Sequence, residues 1–210
     1  MEEDAATTLL APLEPINLVV IGKDGTGKTA LIVRLLTRRF IHEYDPSLVS
    51  VYPFTIEDDG EALSLNLMDT AGKSRLESSE VDWGDGFLLV VSLTSPESVR
   101  TAELMYAWLQ DSAPGKPLAL AATKRDLVQA RAVSSHELAE LAERWHCALY
   151  ETAATGDYED VARPFLELAR RARTLKARRQ LFPNMAPEPV SPPPAADGSK
   201  RLYRARQLTK

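Results

Sequence analysis

Cysteine and long apolar runs are what this 210-residue sequence has least of. Its single cysteine, Cys147, cannot close a disulfide within the chain, which fits a reducing compartment such as the cytosol or the nucleus. No apolar run approaches the roughly 20 residues that span a bilayer. The acidic start MEEDAATTLLAPLEP also lacks the positive flank of a signal peptide. We therefore expect a cytoplasmic location, with the nucleus as the alternative.

Signals for lipid attachment are missing as well. The chain ends in RARQLTK, without the Cys-a-a-X motif of prenylated proteins, and no glycine follows Met1 as myristoylation requires. Positive charge is instead concentrated near the end, because residues 176–210 carry a net +6 and residues 1–175 a net −11. We expect no stable membrane anchor. The basic tail could contact anionic lipid or nucleic acid weakly, although a solvated tail is the simpler interpretation.

The pattern of short apolar runs and helical periods predicts an α/β fold. We expect a flexible leader over 1–15, a single domain over 16–178, and a Pro-rich, basic, disordered tail over 179–210. The predicted element order is β-α-β-β-α-β-α-β-α-β-α, a six-stranded, mostly parallel sheet with about five helices. The predicted strands are 16–22, 50–57, 61–69, 86–92, 117–123 and 147–152, and the predicted helices with assigned ranges are 29–40, 95–110, 134–145 and 158–179.

A glycine-rich loop, GKDGTGKT, lies between the first strand and the first helix and matches the phosphate-loop pattern G-x-x-x-x-G-K-[ST]. Its backbone N–H groups can wrap phosphates, Lys28 can place a charge on them, and the Thr29 hydroxyl can ligate Mg²⁺. The alternative is a plain glycine turn with a helix-capping lysine. The candidate nucleotide-binding residues here are Gly22, Lys23, Asp24, Gly25, Thr26, Gly27, Lys28, Thr29 and Ala30.

Asp24 is unusual in such a loop. A carboxylate two residues after Gly22 would lie near a γ-phosphate and bring like charge and bulk to the site of reaction. The alternative is that Asp24 points to solvent or pairs with a nearby cation. The sequence leaves both open.

Four further segments follow in order: YDPSLVSVY (44–52), DTAGK (69–73), TKRD (123–126) and ETAAT (151–155). Together with the phosphate loop they resemble the motifs of a Ras-like small GTPase. The resemblance covers residues 16–175. Within the family, the chain is similar to a divergent branch that includes the Ras-related oestrogen-regulated growth inhibitor and Ras-like proteins without a prenylation motif. It implies a P-loop domain of the Ras type, a guanine nucleotide (GTP or GDP) and Mg²⁺ as cofactors, and a role as a signalling switch.

The resemblance also implies roles for residues at matching positions. Asp126 would accept hydrogen bonds from guanine, with Lys124 and Phe40 on the two faces of the base and the Ala154 N–H on its oxygen. Mg²⁺ would be held by Thr29, by Ser47 and, through water, by Asp69. Further nucleotide contacts are implied at Ala71, Gly72, Thr123 and Ala153.

Several of these positions depart from the family pattern. Ser47 stands where a threonine is usual, which keeps the hydroxyl and loses the methyl group that stiffens χ1. Thr123 replaces the commoner asparagine. Ala153 and Thr155 replace serine and lysine, so we expect the last loop to lose side-chain support while guanine specificity survives.

Lys73 is the largest departure, because it replaces the catalytic glutamine that orients the attacking water. Lysine has only donors and cannot accept a proton from that water. With Asp24, it predicts a GTP hydrolase of low activity. The alternatives are a pseudo-GTPase scaffold that binds partners independently of nucleotide, and, less favoured by TKRD and DTAG, a P-loop ATPase or kinase.

We expect a monomer whose effectors and regulators bind switch regions 40–52 and 69–84.

Overall fold

The computed structural model describes residues 14–40, 50–58, 60–70, 72, 76–182 and 204–205. Strands and helices alternate along this chain. The strands are β1 (Ile16–Ile21), β2 (Ser50–Asp58), β3 (Glu61–Asp69), β4 (Gly86–Ser92), β5 (Leu118–Thr123), β6 (Ala148–Glu151) and β7 (Arg204–Ala205). The helices are α1 (Lys28–Thr37), α2 (Ser78–Trp83), α3 (Pro96–Ser112), α4 (Ser135–Arg144) and α5 (Tyr158–Leu181), with a 3-10 turn at Val128–Ala130.

One sheet holds all of these strands, in the order β6-β5-β4-β1-β3-β2-β7. β1 pairs in parallel with β3 and β4, and the β4-β5 and β5-β6 pairs are also parallel. By contrast, β2 pairs antiparallel with β3, as a hairpin between these strands requires. The predicted α/β architecture of six strands and five helices is thus confirmed. The two-residue β7, which pairs antiparallel with Ile56 and Glu57 on β2, was not predicted.

The sheet is buried on both faces, which explains why residues 18–21 of β1 are all apolar. Leu18 and Val20 point to the side covered by α1 and α5, while Val19 and Ile21 point to the opposite side, where α3 packs. All four side chains are 0–2% exposed. Cys147 is buried with the second group, and burial raises the pKa of its thiol to about 12.

Helix ends follow local chemistry. The Ser95 and Ser134 hydroxyls accept the backbone N–H groups of Ser98 and Glu137, which caps α3 and α4 at their starts. The predicted first helix (29–40) is too long, since α1 ends where Arg38 takes a left-handed conformation with φ 58°. Among the described helices, none combines the length and the apolar character needed to cross a membrane.

The parallel strands place their carboxyl ends along one edge of the sheet. At this edge β1 runs into the loop before α1, β3 ends at Asp69, β5 ends at Thr123 and β6 ends at Glu151. Ligands of open α/β sheets bind in the crevice beyond such strand ends. The predicted nucleotide motifs therefore meet at one edge although they are spread over more than half of the chain.

Candidate nucleotide-binding site

The glycine-rich loop leaves β1 at a close approach between two backbones. Gly22 has φ 149°, and a Cβ atom there would collide with the carbonyl oxygen of Val90 on the neighbouring β4. The Thr26 hydroxyl then closes the loop by donating to the Lys23 carbonyl at 2.8 Å. Only glycine fits the first position, so the loop conformation follows directly from the sequence.

Lys28 opens α1 and is 4% exposed. Its Nζ donates to the Lys23 carbonyl at 3.2 Å, which places the ammonium group inside the loop. Burial lowers the pKa of Lys28, while the nearby carboxylates of Asp69 and Asp24 act in the opposite direction. A buried cation of this kind suits a phosphate, whose charge would offset the cost of desolvation.

Thr29 and Asp69 form a hydroxyl–carboxylate pair beside this lysine. The Thr29 hydroxyl donates to Asp69 Oδ2, and the two residues are 9% and 3% exposed. In the parallel pairing of β1 with β3, Asp69 lies next to Val20. Asp69 is therefore on the strand adjacent to the one that leads into the loop. Oxygen atoms are the ligands that Mg²⁺ prefers, and it commonly binds one or two carboxylates together with phosphates and water. The pair therefore fits Mg²⁺ held jointly with a nucleotide.

Within the described residues, no group of three or more His, Cys, Asp or Glu side chains is arranged to hold a metal.

Asp24 lies next to Gly72, the described residue of the DTAGK segment that follows β3. An added Cβ at Gly72 would come within 2.8 Å of the Asp24 Cβ, so the two backbones can be this close only because residue 72 is glycine. The Asp24 side chain is exposed, and its Oδ1 accepts the Gly25 N–H at 2.8 Å. Asp24 thus faces solvent, as one alternative expected, yet it occupies a loop N–H and contacts Gly72.

A cavity of about 420 Å³ continues from the loop toward the TKRD segment. Its walls join apolar surface from Leu31, Phe40 and Leu127 to the polar groups of Lys124 and Asp126. Apolar walls with a few fixed polar groups are typical of small-molecule sites, and the volume is in the range for a nucleoside. The other lining residues are Gly25, Gly27, Ala30, Thr123, Ala154 and Thr155.

Thr123 links the phosphate side of this site to its base side through hydrogen bonds. Its buried hydroxyl lies 2.5 Å from the Thr26 carbonyl of the phosphate loop and 3.0 Å from the Val91 carbonyl of β4. The commoner asparagine is absent here, but the hydroxyl still links β5 to the loop. Since Lys124 and Asp126 follow directly on β5, this link fixes the base-side residues relative to the phosphate side.

The last loop retains a side-chain contact that the sequence analysis did not predict. The Thr155 hydroxyl donates to Asp126 Oδ2 at 2.9 Å. The expectation that this loop lost its side-chain support is therefore wrong for residue 155. Ala153 is 3% exposed and is not among the lining residues, whereas Ala154 lines the cavity.

Three predicted site residues, Ser47, Ala71 and Lys73, lie outside the described residues. Of the others, the structure brings the loop, Asp69, Gly72 and the TKRD segment to one edge of the sheet. Lys23 points away from the cavity and pairs with Glu97 at 2.5 Å.

Leu31, Leu127 and Thr155 line the cavity and were not named as site residues. The signal for Leu31 and Leu127 was weak, because apolar residues next to a motif resemble ordinary core residues, whereas Thr155 belongs to the ETAAT motif but was not assigned to the site.

The fold and the loop between β1 and α1 define the class of protein as a P-loop nucleotide-binding domain. A comparison with protein families finds the Ras family over residues 17–174, which spans the described domain.

Named relatives agree with this match. Ras-like protein family member 12 from Bos taurus is 37% identical over 186 residues, covering 86% of this chain and 68% of the relative. Ras-like protein family member 11A from Rattus norvegicus is 33% identical, covering 90% and 84%. The human Ras-related and estrogen-regulated growth inhibitor is 36% identical, covering 78% and 84%. The chain belongs to the Ras family of small GTPases, which in general bind GTP or GDP together with Mg²⁺.

Proposed function

We propose that this chain binds guanine nucleotide with Mg²⁺ and acts as a Ras-like signalling switch that hydrolyses GTP slowly. The proposal rests on one observation: the glycine-rich loop and the TKRD segment line the same cavity. A nucleotide needs both kinds of surface at once: backbone donors and a cation for the phosphates, and apolar walls with specific polar groups for the base.

The phosphates would lie against the loop over residues 22–29. Backbone N–H groups of the loop and the start of α1 favour negative charge, and Lys28 adds a buried ammonium group. Thr29 and Asp69, with Ser47, would hold Mg²⁺, which would neutralise charge on the phosphate oxygens.

Guanine would occupy the far end of the cavity. The Asp126 carboxylate can accept hydrogen bonds from the N1–H and 2-amino groups of guanine, which adenine cannot offer in the same arrangement. Lys124 and Phe40 would cover the two faces of the ring, and the Ala154 N–H would bind its oxygen. Asp126 is therefore the residue that we expect to determine the preference for GTP over ATP.

Slow hydrolysis is proposed from Lys73 and Asp24. Lys73 cannot accept a proton from an attacking water, so the water would be poorly oriented. Asp24 already occupies the Gly25 N–H and contacts Gly72, and its negative charge would repel a γ-phosphate. Lys28 would still stabilise the phosphates, so binding is expected to survive while the rate falls.

The contact between Asp24 and Gly72 also favours a second function, a pseudo-GTPase scaffold. If Asp24 keeps Gly72 from responding to the third phosphate, partners would bind equally well in both nucleotide states. A pull-down with the chain loaded with GDP or with a non-hydrolysable GTP analogue separates the two functions. Equal recovery of partners in both states would support the scaffold.

Partners are expected at switch regions 40–52 and 69–84, and a monomeric state is proposed. We also propose that residues 16–178 form the folded domain, to which the end of α5 adds residues up to Leu181. The protein is proposed to be cytoplasmic or nuclear, and its basic tail to make at most weak contacts with anionic lipid or nucleic acid. These proposals follow from the sequence patterns described above.

The decisive experiment identifies the nucleotide that co-purifies with the protein. After denaturation, chromatography should recover about one equivalent of guanine nucleotide per chain, and the GTP to GDP ratio should exceed that of a rapidly hydrolysing small GTPase prepared in parallel. Recovery of adenine nucleotide would instead support the ATPase or kinase alternative. Recovery of no nucleotide, with no binding of added GDP, would overturn the proposal.

A further inference from the structure

The hydrogen bond between Thr155 and Asp126 joins two loops that are 29 positions apart in sequence. We propose that Thr155 is a positioning residue for guanine recognition, and that it supplies the side-chain support which Ala153 cannot give. The inference rests on the proposed binding of guanine nucleotide. It adds a determinant of base specificity beyond the residues that the family resemblance implies.

The loop that carries Thr155 is held in place from both sides. The Gly156 N–H donates to the Ala153 carbonyl at 2.9 Å, which closes a tight turn around residues 154 and 155. Arg34, on α1, donates from Nη2 to the Gly156 carbonyl at 2.9 Å and ties this turn to the helix that follows the phosphate loop. The Thr155 backbone is thus fixed relative to the phosphate end of the cavity.

The backbone on the Asp126 side is equally constrained. The Leu127 N–H donates to the Lys124 carbonyl at 3.0 Å, and the Val128 N–H donates to the Asp126 carbonyl at 3.0 Å. These bonds fix the main chain but leave the carboxylate free to turn, because the terminal torsion of aspartate is broad and roughly two-fold. The Thr155 hydroxyl bond is what constrains the carboxylate plane.

The orientation of that plane matters for guanine in particular. Guanine presents two adjacent donors, N1–H and the 2-amino group, and a carboxylate accepts both well only when its two oxygens lie in the plane of the base. Oδ2 retains accepting capacity after it binds Thr155, since a carboxylate oxygen has about two lone pairs. The hydroxyl can therefore orient Asp126 without competing with the base.

Neighbouring residues do not duplicate this role. Ala153 and Ala154 have no hydroxyl group. The Thr152 hydroxyl is buried and has no hydrogen-bond partner among the described residues. Within the ETAAT loop, the side-chain bond to Asp126 comes from Thr155.

The experiment compares Thr155→Val, which keeps the shape and removes the hydroxyl, with Thr155→Ser, which retains the hydroxyl. Thr174→Val is the matched control, because the exposed Thr174 hydroxyl bonds to its own helix at the Arg170 carbonyl, far from the cavity. Affinities of the full-length chain for GDP and for inosine diphosphate, whose base lacks the 2-amino group, are measured by competition against a fluorescent GDP.

We expect Thr155→Val to weaken GDP binding about tenfold and to reduce the preference for GDP over inosine diphosphate by about threefold. Thr155→Ser should stay within about twofold of wild type, and Thr174→Val should be unchanged. In an Asp126→Ala background, Thr155→Val should have no further effect, because the group that it positions is gone. A merely structural defect would weaken both nucleotides equally and would persist without Asp126.

Failure of the proposed function and failure of the proposed role of Thr155 give different results. If the wild-type chain binds no guanine nucleotide, the proposed function fails. If the wild-type chain binds GDP and prefers it to inosine diphosphate, but Thr155→Val leaves both affinities unchanged, the proposed function stands and the role of Thr155 is overturned. Equal weakening of both nucleotides would also overturn the positioning role.

Discussion

The base end and the phosphate end of the candidate site differ in how far they depart from the family pattern. At the base end, Lys124 and Asp126 keep their motif positions, and the substituted residues Thr123 and Thr155 still make hydrogen bonds across the site. At the phosphate end, Lys28 and Thr29 are retained, but Asp24 adds a carboxylate beside Gly72. Thr123 and Thr155 at the base end thus preserve contacts, whereas Asp24 at the phosphate end changes the charge.

Under the proposed function, nucleotide binding is kept in this chain while GTP turnover is slow. Affinity for a nucleotide depends on many contacts spread over both ends, so that small losses can be compensated. Hydrolysis depends on a few groups placed around one water and one phosphate, and each change there acts directly on the rate. A chain can therefore keep its ligand while losing most of its turnover.

Removing the carboxylate at the base end is expected to have the largest effect. Asp126→Ala would delete two hydrogen bonds to guanine, each to a charged acceptor and worth about 1.5–3 kcal/mol, so GDP affinity should fall at least about 100-fold. Isothermal titration with GDP measures the loss. Asp111→Ala, at an exposed position on α3, is the control and should bind normally. A loss below about fivefold would contradict the assignment of Asp126 to the base.

Breaking the link between the two ends should have an intermediate effect. Thr123→Val keeps the volume but removes the buried hydroxyl near the Thr26 and Val91 carbonyls, so we expect a loss of about 1–3 kcal/mol in the free energy of unfolding. Guanidinium denaturation of the nucleotide-free chain measures it. Thr101→Val, whose hydroxyl bonds within α3, should cost less. Equal stability of both variants would show that Thr123 does not join the two ends.

Sequence patterns predicted the parts of this structure that depend on local chemistry. The bounds of β3 and β4 agree with the prediction, because β3 alternates apolar and polar residues up to the DTAG motif and β4 is a short apolar run. The end of α1 was not, since nothing in the sequence forces Arg38 into a left-handed conformation. At the site, motif order predicted which strand ends would meet.

Contacts between distant residues could not be predicted in this way. The Thr155–Asp126 bond depends on how two loops lie across the sheet edge. Lys116 is a second example: its Nζ donates to the Val81 and Gly84 carbonyls, both at 2.7 Å, at the end of α2. Lys116 carries no sequence pattern of its own, and the ETAAT motif that contains Thr155 does not predict the bond to Asp126, so both contacts follow only from tertiary structure.

Single-turnover hydrolysis tests whether this chain binds guanine nucleotide but hydrolyses GTP slowly because of residues at the phosphate end. Wild type and the double variant Asp24→Gly/Lys73→Gln are loaded with GTP, and release of phosphate is followed after addition of Mg²⁺. We expect the double variant to react about tenfold faster or more, a decrease of about 1.4 kcal/mol in the barrier, with GDP affinity unchanged within about threefold. A wild-type rate equal to that of the double variant would contradict the account.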